Sequence, residues 1–322
     1  MSRQRKVAIA IGLLLMLAIL SMVGYVMWQE SRWNQTEQSG QDNELQDERY
    51  ITYEDQKYEY NYDLRNILFI GVDKADKFTE QMSGRGGQAD ALILLSLDKK
   101  NKTISLLEIS RDSMTDVAIY GIDGKKLATE RLQVALQYAY GDGTKRSCQL
   151  TKEAVSNLLY GIPIHSYVAL AVDGVPKVTE LMGGVELTVP EDYTHIDSDF
   201  AKGATIVLKG EQAERYVRYR DINVTGSNNQ RMERQTQFIK ALAMQLQGKN
   251  AAWYQQLFSG AEEYITTNIS TEEMDRLSKY QMSQEIQVVP GVTKQGEVHD
   301  EFIVDNEQLK KIIIKSFYKS VN

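Results

Sequence analysis

One cysteine, Cys148, stands among 322 residues, so no internal disulfide can form and the folded part must be held by its core alone. A thiol nucleophile there would need a histidine partner, and the sequence suggests none. The three histidines, His165, His195 and His299, are scattered and lack zinc-ligand spacing, which excludes a His/Cys metal site. Net positive charge is missing too. Three of the 37 Lys and Arg residues precede Trp28, leaving 34 against 44 Asp and Glu in the remainder. That balance excludes a nucleic-acid surface and confines any anion site to a local cluster. There is no internal repeat.

Uncharged apolar length is present once. Val7 to Trp28 carries no charged residue, and at about 1.5 Å per residue it is long enough to span a bilayer. Arg3, Arg5 and Lys6 precede it and an acidic stretch follows, so the positive-inside rule places residues 1–6 in the cytoplasm and the rest outside the cell. No small-x-small cleavage site follows, so the segment reads as an anchor. Residues 29–50 are polar and aperiodic and read as a flexible stalk. Residues 51–322 are left as the extracellular domain.

The chemistry of that domain centres on Asn66 to Ser113. Three almost wholly apolar runs, Asn66–Val72, Ala91–Leu97 and Ile104–Ile109, predict strands covered on both faces, hence a sheet between helices. Lys99–Asn101 predicts a hairpin turn between the second and third. Polar residues gather where the strands end: Asp73, Asp90, and the pair Arg111 and Asp112. Strand ends are where side chains converge on a ligand. The loop 74–88 contains Gly84, Arg85, Gly86 and Gly87, a composition that lets backbone approach a phosphate with Arg85 in reach and that equally suits a mobile surface loop.

Further on, helical spacing predicts helices over 127–140, 152–160 (capped by Thr151), 175–182 (capped by Asp173), 209–219, 228–247, 251–266 and 271–283, with a last one after Asp305. Strands are predicted at 166–172, 185–189 and 285–289. Residues 191–203 read as a polar surface excursion. Arg218 and Arg220, two apart, reach one ligand only if their helix ends between them. In 228–247, Arg231, Arg234, Gln235 and Phe238 fall on one stripe that continues into Leu242. A helix burying that face must give its arginines anionic partners, whereas a solvated face needs none. No chemistry is legible after Gly248.

The ordered blocks GVD, QAD-ALILLSLDKKNKTISLLEISRDS, RLQVALQYAYGDG, GIPIHSYVAL, LMGGVELTVP, GEQAERYVRYRD and QRMERQTQFIKAL, together covering about Asn66 to Leu246, resemble the LytR-CpsA-Psr family. The resemblance implies an α-β-α sandwich with a central mixed sheet in the core 66–246, with 247–322 as a C-terminal extension. It implies transfer of a polyprenyl-pyrophosphate-linked glycopolymer onto peptidoglycan, by attack of an acceptor hydroxyl on phosphorus. Carried over, Asp73 and Asp90 would hold Mg²⁺. Arg111 and Asp112 would be the catalytic pair. Arg85, Arg218, Arg220, Arg231, Arg234 and Gln235 would bind the pyrophosphate. The chain departs from the family at three places. Gln88-Ala89-Asp90-Ala91 stands where the family has Arg-Ser-Asp-Thr, Ser110 stands for a proline, and Asn228 for an acidic residue. Arg85, folding its loop inward, is the expected substitute for the missing arginine. A binding protein that keeps the lipid site without turnover is the alternative reading.

Overall fold

The computed structural model describes residues 50–73, 77–221, 227–296 and 299–321. The anchor 7–28 and nearly all of the stalk lie outside the described residues; among the described ones no helix is long and apolar enough to cross a membrane. Tyr50, placed in the stalk by composition, instead opens a strand. The chain divides into two compact units. In the first, β1 (Tyr50–Tyr53) pairs antiparallel with β2 (Gln56–Tyr60) through a turn in which Glu54 and Asp55 take positive φ.

The second unit, Asn61–Lys319, is built on a six-stranded mixed sheet. Its central strands are β3 (Leu64–Asp73), β4 (Gln88–Asp98) and β5 (Thr103–Ile109), joined antiparallel in sequence order. The expected hairpin turn is present, and Asp98 Oδ1 accepts from the N–H groups of Lys100 and Asn101. β8 (Ser166–Ala171) runs parallel to β3, and β12 (Gln281–Val288) parallel to β5. The short β11 (Ile265–Thr267) closes the β8 edge. Both faces are buried, with Phe69, Ile93, Leu106 and Leu170 on one and Leu68, Ile70, Leu92 and Leu94 on the other. Burial on both sides is why the runs are continuous and not alternating.

On the Phe69 face lie α2 (Val175–Met182), α3 (Glu211–Arg218), α4 (Ser227–Gln245) and α5 (Ala251–Ala261), sharing one core with the ribbon of β9 (Val185–Thr188) and β10 (Thr205–Leu208). α2 ends on Gly183 at φ 83°, the left-handed conformation that a glycine adopts without penalty.

Local pattern misleads in four places. The helix predicted over 127–140 is β7 (Lys126–Gln133), paired antiparallel with β6 (Met114–Tyr120), then a 3-10 segment over Val134–Tyr140. Long-range pairing overrides the helical propensity of Leu127 to Leu132. The helix assigned to 152–160 is α1 (Lys145–Leu158). Asp142 Oδ1, not Thr151, accepts from its first N–H groups, and Thr151 Oγ1 donates back to the Ser147 carbonyl. Asp173 caps nothing and sits in a 3-10 turn before α2. The helices predicted over 251–266 and 271–283 stop at Ala261 and at Leu277, the end of α6 (Thr271–Leu277), because strands β11 and β12 claim the remainder. A hairpin of β13 (Gly291–Gln295) and β14 (Asp300–Val304), not predicted, precedes α7 (Asn306–Phe317), whose cap is Asp305 as expected.

Candidate active site

The rim of β3 and β4 is bent by a bulge. Gly71 pairs with Ala91, but Val72 pairs with Ala89, leaving Asp90 as the extra residue. Strict alternation would send Asp90 to the face opposite Ala91. The bulge re-aims it, so both line the same cavity. Gly71 is required there because a Cβ on it would stand 2.9 Å from the Ala91 Cβ.

The cavity, about 190 Å³, lies between the sheet rim, the end of α3 and the first turns of α4. Its polar lining is Asp73, Asp90, Arg218, Arg231 and Gln235, and its apolar lining includes Phe69, Leu170 and Phe238. A second cavity, about 150 Å³, adjoins it at Phe69 and Ile239, which line both. Its walls are Leu95, Leu97, Ile104, Leu242, Leu246 and other mostly apolar side chains. A charged cavity therefore lies beside an apolar one between sheet and helices, with Phe69 and Ile239 common to both.

The arginine stripe of α4 is buried, Arg231 to 8% and Arg234 to 2% exposure. Each finds partners, in different ways. Arg231 Nη1 donates to Asp90 Oδ2 at 3.0 Å and Nη2 to Asn228 Oδ1 at 2.8 Å. Its Nε, also buried, has no partner among the described residues, nor has Gln235 Oε1. Arg234 does not line the cavity. It donates to the carbonyls of Tyr216 (2.8 Å) and Tyr219, and its guanidinium lies 5.0 Å from the Tyr193 ring centroid. It fastens the end of α3, and so the arginines that follow, to α4. Gln235 Nε2 does the same through the Val217 carbonyl. Tyr193, in the stretch read as a surface excursion, had no signal in the sequence beyond being aromatic.

α3 ends at Arg218, so Arg218 and Arg220 are freed from opposite helix faces as expected. Arg218 is half exposed and meets Glu214 (2.7 Å), Asp173 (3.3 Å) and Asp73 (3.8 Å). Arg220 is exposed, and its charge acts on Asp112 and Arg231. Arg85 is exposed and does not line the cavity. Its loop is pinned to the 3-10 segment by Gly84 N–H to the Ala139 carbonyl and by Ser83 Oγ to the Tyr120 and Tyr140 carbonyls. Those bonds hold it away from the inward fold that substitution for Gln88 would need.

Arg111 and Asp112 lie at the cavity floor but do not line it. Arg111 donates to Asp90 Oδ1 and to Gln88 Oε1, and its Nε stands 3.4 Å from Asp112 Oδ1. Asp112 is buried and accepts at both oxygens, from Gln133 Nε2 at 2.8 Å and Asn228 Nδ2 at 2.6 Å. Burial raises its pKa, opposed by the charges of Arg111, Arg220 and Arg231 and supported by that of Asp300. Asp90, Arg231, Asn228, Asp112 and Arg111 thus form a closed ring of polar contacts. Gln133 was not foreseen because it fell in a segment read as helix. Cys148 is buried and its thiol is pushed up to about 12, in keeping with an inert core residue.

The carboxylates of Asp73 and Asp90 offer oxygen donors only, which suits a hard cation such as Mg²⁺. One or two protein carboxylates, completed by phosphate oxygens and water, is the usual Mg²⁺ arrangement. The orphaned Gln235 Oε1 in the same cavity adds an oxygen, and an ion there would share Asp90 with Arg111 and Arg231, which already occupy its two oxygens.

Comparison with known proteins identifies the family and the fold. Residues 25–316 match the LytR_cpsA_psr family. The polyisoprenyl-teichoic acid–peptidoglycan teichoic acid transferase TagV of Bacillus subtilis is 33% identical over 215 residues, 65% of this chain and only 50% of that protein's length. The transferase TagU of Enterococcus faecalis is 26% identical over 286 residues, 86% of this chain and 84% of its own. The crystal structure of B. subtilis TagV superposes with a TM-score of 0.60 at 28% identity, over 78% of this chain and 95% of that one. TagT bound to LIIa-WTA shares the fold, with a TM-score of 0.59 at 19% identity over 79% of this chain and 89% of its own.

Proposed function

The chain belongs to the LytR-CpsA-Psr family, and from that premise we propose that it transfers a polyprenyl-pyrophosphate-linked glycopolymer of teichoic acid or capsule type onto peptidoglycan. One observation carries the reading: a cavity lined by Arg218 and Arg231 adjoins an apolar one walled by Leu95, Leu97, Leu242 and Leu246. A lipid diphosphate has this polarity, with a compact polyanion at one end and a hydrocarbon at the other. The anchor 7–28 would hold the domain outside the cell membrane, where lipid-linked glycan and wall meet.

In the reaction an acceptor hydroxyl attacks the phosphorus next to the glycan, and polyprenyl phosphate leaves. Arg218 and Arg231, from the cavity lining, and Arg220, exposed just past the end of α3, bind the phosphate oxygens in this scheme, and these contacts strengthen as charge moves to the leaving group. Mg²⁺, held by Asp73 and Asp90, would neutralise charge on the pyrophosphate. Arg234 and Gln235 support the site from behind, by fixing the end of α3. Asp112, behind the cavity wall, orients Arg111 and Asn228 in this scheme.

The experiment is mass spectrometry of lipid co-purifying with the full chain beside an Arg218→Ala/Arg231→Ala control, followed by turnover of a short prenyl diphosphate with and without Mg²⁺. The expected result is polyprenyl phosphate or pyrophosphate in the wild type only, and Mg²⁺-dependent turnover abolished by Asp90→Ala. Absence of lipid from both folded proteins removes the lipid site. Full turnover without added Mg²⁺ removes the metal.

A second reading, lipid binding without turnover as an envelope sensor or scaffold, is favoured by one feature. Asp112, half of the expected catalytic pair, does not line the cavity and has both oxygens engaged. Bound lipid with no turnover would establish it.

A further inference from the structure

The ring beneath the cavity poses a chemical requirement that few side chains meet. At position 228 the residue donates to Asp112 Oδ2 and accepts from Arg231 Nη2. A carboxylate can accept from Arg231 but has no hydrogen for Asp112. A carboxamide does both without holding a labile proton. At position 133 the need is for two donors. Gln133 Nε2 gives one hydrogen to Asp112 Oδ1 and one to the Asp300 carbonyl, each at 2.8 Å. Both amides are buried, Asn228 to 4% and Gln133 to 6% exposure.

Asp300 opens β14, in the C-terminal extension where the sequence offered no chemistry. The hairpin is fixed to the same place by Phe302 N–H donating to the Asp112 carbonyl at 2.9 Å and by a bridge between Ser113 and Phe302. Asp112 is thus held by its backbone from β14 and by its carboxylate from β7 and α4. Two carboxylates, Asp90 and Asp112, balance two guanidiniums, Arg111 and Arg231, so the ring is closed at neutral charge. Closure uses both terminal nitrogens of Arg231 and leaves Nε without a partner among the described residues.

We propose that Asn228 and Gln133 are positioning residues: an amide clamp that holds Asp112 as a double acceptor and, through Asn228, fixes the Arg231 guanidinium at the cavity wall. The proposal rests on the lipid-diphosphate reading above and assigns to this chain a proton-free ring. An acid at either clamp position sets a carboxyl against Asp112. The pair then shares one proton at low pH, reproducing the donated hydrogen bond, and repels when that proton leaves. The charged groups acting on Asp112 are Arg111, Arg220 and Arg231, which favour its ionised form, and Asp300, which opposes it.

The test uses the full chain with farnesyl diphosphate as probe, measuring kcat/KM and Kd between pH 5.5 and 8.5 for wild type, Asn228→Asp, Gln133→Glu, Asn228→Leu and Asn228→Asp/Gln88→Arg. Circular dichroism checks that each is folded. Asn228→Asp is expected to approach wild type at the acid end, Gln133→Glu to recover there only in part because one O–H cannot serve both Asp112 and the Asp300 carbonyl, and both to fall by about tenfold or more as pH rises, the loss of an oriented charge-stabilising donor. Asn228→Leu is expected to be low throughout. The double variant, which returns one positive charge beside Arg111, is expected to recover part of the alkaline loss. Asn228→Asp running parallel to wild type across the range overturns the clamp, as does an alkaline loss that is equal in the double variant. Should wild type bind farnesyl diphosphate without turnover, the transferase reading fails while Kd for the same variants decides the clamp. Neither binding nor turnover by wild type overturns both.

Discussion

Arg231 Nη1 and Asp90 Oδ2 lie 3.0 Å apart, an ion pair between a helix and a strand bulge with neither side chain more than 9% exposed. Asp90 also takes Arg111 on its other oxygen. A single carboxylate therefore stands between the buried Arg231 guanidinium and the partly buried one of Arg111. Burial pulls the Arg231 pKa down, and the charge of Asp90 pushes it back up.

Removing that carboxylate should be costly in a way that surface pairs are not. Asp90→Ala leaves those two positive charges facing each other, and breaking a buried pair from one side costs about 3–5 kcal/mol. Urea unfolding should show a loss of that size. Asp73→Ala, at the exposed rim, should cost little stability, so equal losses for the two would contradict the burial argument.

Arg234 should behave as a fastener and not as a ligand-binding group. Arg234→Ala removes two bonds to the Tyr216 and Tyr219 carbonyls and its contact with Tyr193. Charged hydrogen bonds contribute about 1.5–3 kcal/mol each, so a loss of about 3 kcal/mol is expected, with weaker prenyl-diphosphate binding as a consequence. Arg234→Lys should not restore it, since one ammonium cannot span both carbonyls. Unfolding midpoints for the two variants check this; full recovery with lysine would refute it.

Chain length should discriminate the two cavities. Ala243 lines the apolar cavity but not the charged one. Ala243→Trp fills apolar cavity volume, so affinity for a long polyprenyl diphosphate should fall by about tenfold or more, while geranyl diphosphate should bind as to wild type. Parallel losses for both ligands would place the hydrocarbon elsewhere.

Glu108, on β5 and buried, should make stability depend on pH. Burial raises its pKa, against a hydrogen bond from Thr236 and with a contribution from the charge of Glu233. A carboxyl whose folded pKa is raised contributes stability below its unfolded pKa and loses it as pH rises through the folded one. Glu108→Gln removes the titration, so it should gain on wild type as pH rises from 4 to 8 and converge with it in acid. Thermal midpoints across that range read the difference directly; a difference that grows toward acid would have the wrong sign.

Much of the fold was legible because burial on both faces leaves a plain mark. The runs at 66–72, 91–97 and 104–109 had to be central strands, since nothing else hides so many consecutive apolar residues in so short a length. The α4 stripe declared its burial through Phe238 and Leu242, and with it the need for anionic partners for Arg231. What misled was local propensity where pairing is distant. Lys126–Gln133 is a good helical sequence that β6 holds extended, and Gln133 was lost with it. Asp173 reads as a cap and serves as a partner of Arg218.

The sequence alone determined the family, the residue types of an anion site and the approximate strand rim on which they sit. The family follows from the resemblance of ordered motif blocks, the residue types and the rim from composition and periodicity along the chain. Only the tertiary structure decided which of those residues face the ligand. A one-residue bulge brought Asp90 into the cavity, a pinned loop kept Arg85 out, and two carbonyls at the end of α3 claimed Arg234. It also joined Asp112 to Gln133, Asn228 and the Asp300 carbonyl, groups from three distant parts of the chain. Hydrogen bonds depend on angle and on distances of about 3 Å, and neither is written in the order of residues.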